Sequence, residues 1–401
     1  MMVLRGARLL DGSVVDVTAA DGLVTAVSPS PAGGAGLLIP ALVEPHLHLD
    51  KVFTAAAAAG ADGTLGGAMT AYEAVLAAPL DEVTRRAAAA VSMLVRNGVT
   101  AARVHIGCGR LSGTRFVEAI AGLAAWCRDL LDLQIVAHVG GPAPGQGWSS
   151  QVRVLHDALD AGATLVGGNP SLEERPAEAL AACLQVAVDR GVGVDLHLDE
   201  TTDPGVFLLG SLVDLLPLPV PITVSHCVSL GLQEEPVIER TIGLLAEHRV
   251  GFVTLPATNL HLQGRGTGHR GVPPLGRLLA AGVPLAAGGD NVQDPFNPTG
   301  RLDPLDTAAL LMIAGHLDRA SALAAVTSGA RAVLGMPAAG PVPGAVADLL
   351  ELRGDAPADP LMAAGPDRRV WKAGRQLADT RVRTSGPVAD WPGSAGTGKG
   401  Q

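Results

Sequence analysis

The sequence has almost no aromatic residues: four Trp, one Tyr and five Phe make up 2% of 401 positions. Its core must therefore be built from Ala, Val and Leu. Cysteine is scarce as well. Cys108, Cys127, Cys183 and Cys227 lie far apart with no CxxC pair, which argues against a disulfide framework and against a structural zinc knuckle. A reduced, cytoplasmic setting is the default expectation. Charged residues reach only 17%, and 29 basic against 39 acidic side chains leave a net charge of −10 with no Lys/Arg block. A nucleic-acid polymer is thus a poor partner. Long apolar runs are missing too. The stretches 54–60 and 278–288 fall short of the ~20 residues a membrane helix needs. Residues 1–11 hold no long apolar core ahead of their charges, unlike a secretory signal. No membrane partner is expected, and self-association into a homo-oligomer is compatible with this composition.

What is present is an apolar fraction of 48% with 51 Gly and 29 Pro. Disordered chains are poorer in apolar residues and coiled coils richer in charge, so the chain is globular and long enough for a large core. Residues 3–10, 14–18 and 23–27 read as short strands separated by Asp11-Gly12 and Asp21-Gly22 turns. From 41 to about 340 the rhythm changes. Short apolar runs at 41–45, 100–106, 134–139, 164–167, 193–197, 222–225, 251–255 and 283–288 alternate with helical stretches such as 80–97, 115–131, 176–190 and 235–248. Eight non-alternating strands, each followed by a crossover, predict a parallel (β/α)8 TIM-type barrel. An open doubly wound sheet has the same periodicity, but no GxGxxG follows the first of these strands. Strand character returns at 347–352 and 370–375. The expectation is a small β-sandwich formed by both chain ends, 1–40 with 341–384, around a barrel at 41–340, with a disordered tail at 385–401.

The eleven histidines are placed in a pattern. His46 and His48, in Pro45-His46-Leu47-His48-Leu49-Asp50, directly follow the first barrel strand. Residues i and i+2 of a strand share a face, so both rings can reach one metal ion. Alone, a His-x-His is as readily two polar loop residues. The remaining pattern adds weight: His197 ends a strand with Glu200 three residues on, His226 ends the next strand, and Asp290 ends the eighth. All fall at the C-terminal ends of barrel strands, where barrel active sites are built. His46, His48, His197 and Asp290 offer the imidazoles and hard oxygen that suit one zinc or iron(II) ion. His105 and His138 end the second and third strands and are expected as substrate contacts. His261 and His269 lie in a Gly-rich stretch that reads as a lid, and Cys227 reads as packing.

Five motifs, Val43-Glu44-Pro45-His46-Leu47-His48-Leu49-Asp50, His197-Leu198-Asp199-Glu200, Val224-Ser225-His226, Asn259-Leu260-His261-Leu262-Gln263-Gly264-Arg265 and Gly289-Asp290-Asn291-Val292-Gln293-Asp294-Pro295, occur in order. Together they resemble the cytosine deaminase branch of the amidohydrolase superfamily, in register from about 37 to 300. The resemblance implies one zinc or iron(II) on His46, His48, His197 and Asp290. It also implies a proton shuttle at Glu200, and His226 with Asp290 activating water. Gln263, Asn291 and Phe296 fall at positions implied to meet substrate. Binuclear relatives use a carboxylated lysine on the fourth strand, whereas 164–170 contains no lysine. Cytosine-specific members carry an amide side chain after the third strand, where this chain has Val139-Gly140-Gly141-Pro142. An unread polar edge is costly to bury, so cytosine itself is not the expected substrate.

The residues also argue for hydrolysis directly. A metal on three His and one Asp with a site left for water lowers that water's pKa toward about 7. Glu200 can protonate a ring nitrogen, and ammonia or an amine then leaves. The expected function is a metal-dependent hydrolytic deaminase acting on a small nitrogen heterocycle. Two alternatives stand beside it: cleavage of a cyclic or acyclic amide by the same site, and a decayed barrel serving as a binding protein. The second would show a missing ligand or general acid, and none is missing here.

Overall fold

The computed structural model describes residues 1–33, 36–56, 62–109, 111–143, 145–266, 268–269, 271–354, 359–383 and 385. Beyond Ser385, the tail expected to be disordered lies outside the described residues. Strands run in chain order as β1 (Met2–Arg8), β2 (Val14–Ala20), β3 (Leu23–Pro29), β4 (Gly36–Pro40), β5 (Leu42–Leu47), β6 (Val99–Cys108), β7 (Asp132–Val139), β8 (Leu165–Gly168), β9 (Gly193–Leu198), β10 (Ile222–His226), β11 (Gly251–Thr254), β12 (Leu285–Ala287), β13 (Leu349–Arg353), β14 (Arg368–Lys372) and β15 (Arg375–Thr380). They are divided between two compact units. One comprises 1–42, 93–100 and the described residues from 337 onward; the other comprises 43–92 and 101–336.

In the first unit seven strands join in the order β15-β14-β13-β4-β1-β2-β3. Every neighbouring pair is antiparallel except β1 with β4. Asp21 and Gly22, at φ +51° and +82°, make the turn from β2 to β3. Positive φ at both positions matches the right-handed twist of a two-residue hairpin. Alternate side chains of β2 point inward, and Leu4, Val17, Val24, Leu38, Leu349 and Trp371 from both chain ends share one buried cluster.

The second architecture is a sheet of eight strands, β5 to β12, each beside its sequence neighbour. The registered pairs from β6 to β12 are parallel. A parallel bridge between Leu47 and Asp290 links the end of β5 to the residues after β12, which all but closes the barrel. Most of these strands are buried along their whole length, as strands covered on both faces must be. The intervening helices carry ordinary end signals. Leu80–Arg96 has Asp81 and Glu82 in its first turn and Arg96 in its last, matching the helix dipole. Pro176–Arg190 starts on a proline and stops at Gly191, whose φ of +63° gives a left-handed cap. Below the strand ends, Arg103 spans the barrel interior, 2.7 Å from Asp195 and 3.0 Å from Thr223 Oγ1. All four cysteines are buried thiols outside any disulfide. Among the described residues no helix is long and apolar enough to cross a membrane.

Candidate functional site

The C-terminal ends of the barrel strands surround a cavity of about 350 Å³. His46 and His48 come from β5 and the residue beyond it, His197 from β9, His226 from β10, and Asp290 from just after β12. His226 and Asp290 have φ values of +65° and +60°. Left-handed backbone is uncommon for residues with a Cβ and concentrates at functional sites, where the surrounding structure holds it. The Asp290 conformation is held by β5: its amide donates to the His46 carbonyl at 2.9 Å, and its carbonyl accepts from the His48 amide at 3.2 Å.

Four side chains converge on one point. His197 Nε2 is 3.1 Å from His46 Nε2 and 3.2 Å from His48 Nε2. Asp290 Oδ1 is 3.5 Å and 3.2 Å from the same two nitrogens of His46 and His48. These separations are close to the edges, about 3.3 Å, of a tetrahedron with ligands near 2.0 Å from its centre. His48 Nδ1 lies 3.1 Å from the His105 carbonyl, so it donates there and leaves the Nε2 lone pair facing the cluster. Burial, with the neighbouring rings and Lys51, holds all three histidines well below the ordinary imidazole range, so their rings are neutral and free to act as metal donors. Among the described residues no donor reaches hydrogen-bond geometry with either oxygen of Asp290, and burial pushes its carboxyl above the usual range. A buried carboxylate facing three neutral imidazoles calls for a cation. The donor set fits one divalent metal.

Glu200 faces the same cavity and is 5% exposed. The turn that presents it is held by Asp199, at φ +52°, whose carboxylate accepts from the Leu208 and Leu209 amides at 2.8 and 3.0 Å. Asn169 Nδ2 donates to Glu200 Oε2 at 3.3 Å, and Glu200 Oε1 is 3.7 Å from His226 Nδ1. Burial pushes the Glu200 carboxyl up to about 8. A carboxylic acid still protonated at neutral pH is suited to proton donation.

The other expected contacts divide. His138, Asn291 and Phe296 line the cavity. His105 and Gln263 do not. His105 is fully buried and stacked on His46 with centroids 3.9 Å apart, behind the cluster instead of facing the cavity. Gln263 turns its amide to the backbone, donating to the Glu200 carbonyl at 2.7 Å, and so steadies the loop that bears Glu200. His261, expected in a lid loop, sits on the short helix Pro256–Leu262. Among the cavity residues that the sequence does not mark are Lys51, Asn169 and Glu173. The space opened by Gly140 and Gly141 is not empty, because a Cβ on Gly141 would collide with the Glu173 carboxylate.

Residues 54–378 match the profile of a family described as the amidohydrolase family. The chain is 30% identical over 393 residues to pterin deaminase of Rhizobium rhizogenes, across 90% of this chain and 87% of that one. Its structure resembles 5-methylcytosine deaminase of Klebsiella pneumoniae bound to 5-fluorocytosine, with a TM-score of 0.83 and 25% identity over 97% of this chain and 100% of the other. It likewise resembles N-isopropylammelide isopropylaminohydrolase of Burkholderia multivorans, with a TM-score of 0.78 and 27% identity over 94% and 99% of the two chains.

Proposed function

This chain belongs to the amidohydrolase family, and from that membership we propose a metal-dependent hydrolytic deaminase of a small nitrogen heterocycle. It is a hydrolase of carbon–nitrogen bonds other than peptide bonds. The observation that carries the finer reading is the facing of Glu200 across one cavity from the His46, His48, His197 and Asp290 cluster. Similarity to enzymes whose names specify pterin, 5-methylcytosine and N-isopropylammelide supports an aminated ring as substrate.

His46, His48, His197 and Asp290 would hold a zinc or iron(II) ion, which would supply Lewis acidity and lower the pKa of a water toward about 7. Glu200 donates its proton to the ring nitrogen beside the aminated carbon, which makes that carbon electrophilic. His226 Nε2, buried and without a hydrogen-bond partner among the described residues, accepts one proton of the attacking water. The second Asp290 oxygen offers a further acceptor beside it. The water oxygen bonds to carbon, the C–N bond to the amino group breaks, and the leaving amine takes the proton held by His226. The remaining hydroxyl proton returns to Glu200 as the carbonyl forms, so the acid is regenerated.

Metal analysis of the purified protein, followed by assay of aminated pyrimidines, pterins, purines and triazines for ammonia or amine release, tests this reading. Ring opening without amine release would assign the same site to amide hydrolysis instead. A protein that binds no metal and consumes no member of the panel would sink both.

A further inference from the structure

We propose that Lys51 is the counter-charge for an acidic group on the substrate, so that the heterocycle acted on carries an anionic oxygen. The ring part of this statement rests on the deaminase reading above; the charge part does not. Lys51 is 7% exposed and lines the cavity three residues beyond His48. Among the described residues lining the cavity, it is the single Lys or Arg. A lysine is rarely this buried without an anionic partner. Here, among the described residues, Nζ makes no ion pair and meets two aromatic faces, 4.2 Å from the Phe296 centroid and 4.9 Å from that of Tyr72.

Glu200 and Asp290 feel its charge across the cavity, but they are the proton donor and a candidate metal ligand, and the two remaining nearby acids are turned elsewhere. Asp50 Oδ2 accepts from the Tyr72 hydroxyl at 2.7 Å and from the Gly107 amide at 3.0 Å. Asp294 Oδ1 accepts from the Phe296 and Asn297 amides, and its Oδ2 from Asn291 Nδ2. The turn bearing Lys51 is fixed from outside, since Arg86 Nη1 donates to the Asp50 and Val52 carbonyls at 3.3 and 2.6 Å. The backbone that bears Lys51 is therefore held in place, and its side chain lines the cavity beside Tyr72 and Phe296. An ammonium has three donors and no acceptor, so it selects an oxygen bearing negative charge over a ring N–H edge.

The test is equilibrium binding to the metal-loaded protein by titration calorimetry, using deaminated rings that the enzyme does not consume. Uracil is compared with orotate, its 6-carboxylate, and lumazine with lumazine-6-carboxylate. In at least one pair the carboxylate should bind wild type at least tenfold more tightly than its parent. Lys51→Met, which keeps an apolar stem against Tyr72 and Phe296, should abolish that preference, and Lys51→Arg should retain it. Equal affinities within both pairs, no binding of either carboxylate, or a preference unchanged in Lys51→Met would overturn the proposal. Lys51-dependent carboxylate binding with no amine release from any aminated ring would leave the charge assignment standing and remove the deaminase reading.

Discussion

His226 Nδ1 lies 2.8 Å from Asn259 Oδ1, so the ring donates its Nδ1–H to the amide and turns a bare Nε2 into the cavity. Asn259 is fully buried on the short helix after β11, one strand along from β10. Its chemistry is that of a tautomer lock: with Nδ1 protonated, Nε2 can only accept.

Asn259→Leu removes that lock without touching a candidate ligand. The expected outcome is a kcat lowered about 10- to 100-fold, the usual range for losing such a supporting contact, with metal content unchanged. Asn259→Asp, which retains an acceptor at the same place, should recover most of the rate. Unaltered kcat in the leucine variant would reduce Asn259 to packing.

The strand-end residues were legible in the sequence because their chemistry departs from their surroundings. His197, His226 and Asp290 interrupt apolar runs that otherwise read as buried strand, and His46 and His48 share a face by the period of two. The left-handed backbone at His226 and Asp290 left no such mark, since nothing in either residue type announces positive φ. Lys51 was hidden for another reason. Lysine is ordinarily exposed, and its burial depends on Tyr72 and Phe296, 21 and 245 residues away by numbering. Glu173 was overlooked because Gly140 and Gly141 read as an absence, whereas a carboxylate from the residues after β8 fills the space they leave. His105 misled in the opposite direction: it ends on the right strand but packs behind His46.

His48→Ala should remove both bound metal and turnover while far-UV circular dichroism stays that of the wild type. His48 Nε2 is one of four donors around the candidate centre, 3.2 Å from both His197 Nε2 and Asp290 Oδ1. Full metal occupancy with normal turnover in this variant would dismantle the ligand assignment.

Glu200→Gln keeps volume and reach but cannot give up a proton as an acid does. We expect kcat to fall at least about 10²-fold with metal retained. Lost metal would make Glu200 a ligand, and wild-type kcat a bystander. Its pH behaviour follows from the raised folded-state pKa of about 8. The donating, protonated form is present below that value and is lost as pH rises through it, so kcat/KM should fall on the alkaline side. Asn169 favours the carboxylate by donating to Oε2. Asn169→Leu should therefore move the falling limb to higher pH, and a shift to lower pH would contradict the assignment.

Arg103 and Asp195 form an ion pair deep in the barrel, 4% and 0% exposed, with Gln134 Oε1 accepting from Arg103 Nε at 2.9 Å. Arg103→Leu strands a carboxylate that burial already pushes above its usual range. Removing one partner of a buried pair destabilises by about 3–5 kcal/mol. Denaturant unfolding should show that loss, and the double change with Asp195→Leu should recover part of it. A double variant no more stable than Arg103→Leu alone would mean the pair is not the source.

Cytosine should be a poor substrate, with kcat/KM below about 10⁴ M⁻¹s⁻¹, the lower end of the usual enzymatic range. The edge of cytosine away from its amino group offers an N–H donor beside a carbonyl acceptor. An amide side chain answers both, one with its oxygen and one with its NH2 group. Here Gly140 and Gly141 answer neither, and the side chain in their space is Glu173, a carboxyl group whose ionised form only accepts. Against cytosine that form leaves one carbonyl facing an acceptor, an unmade hydrogen bond worth about 1–3 kcal/mol when buried. Glu173→Gln converts the mismatched oxygen into a donor at constant volume. Its kcat/KM for cytosine should therefore rise about tenfold or more, while its metal content stays unchanged. Steady-state kinetics on the two proteins decides the matter: efficient cytosine turnover by the wild type, or no gain in the glutamine variant, would show that Glu173 does not meet the far edge of the ring.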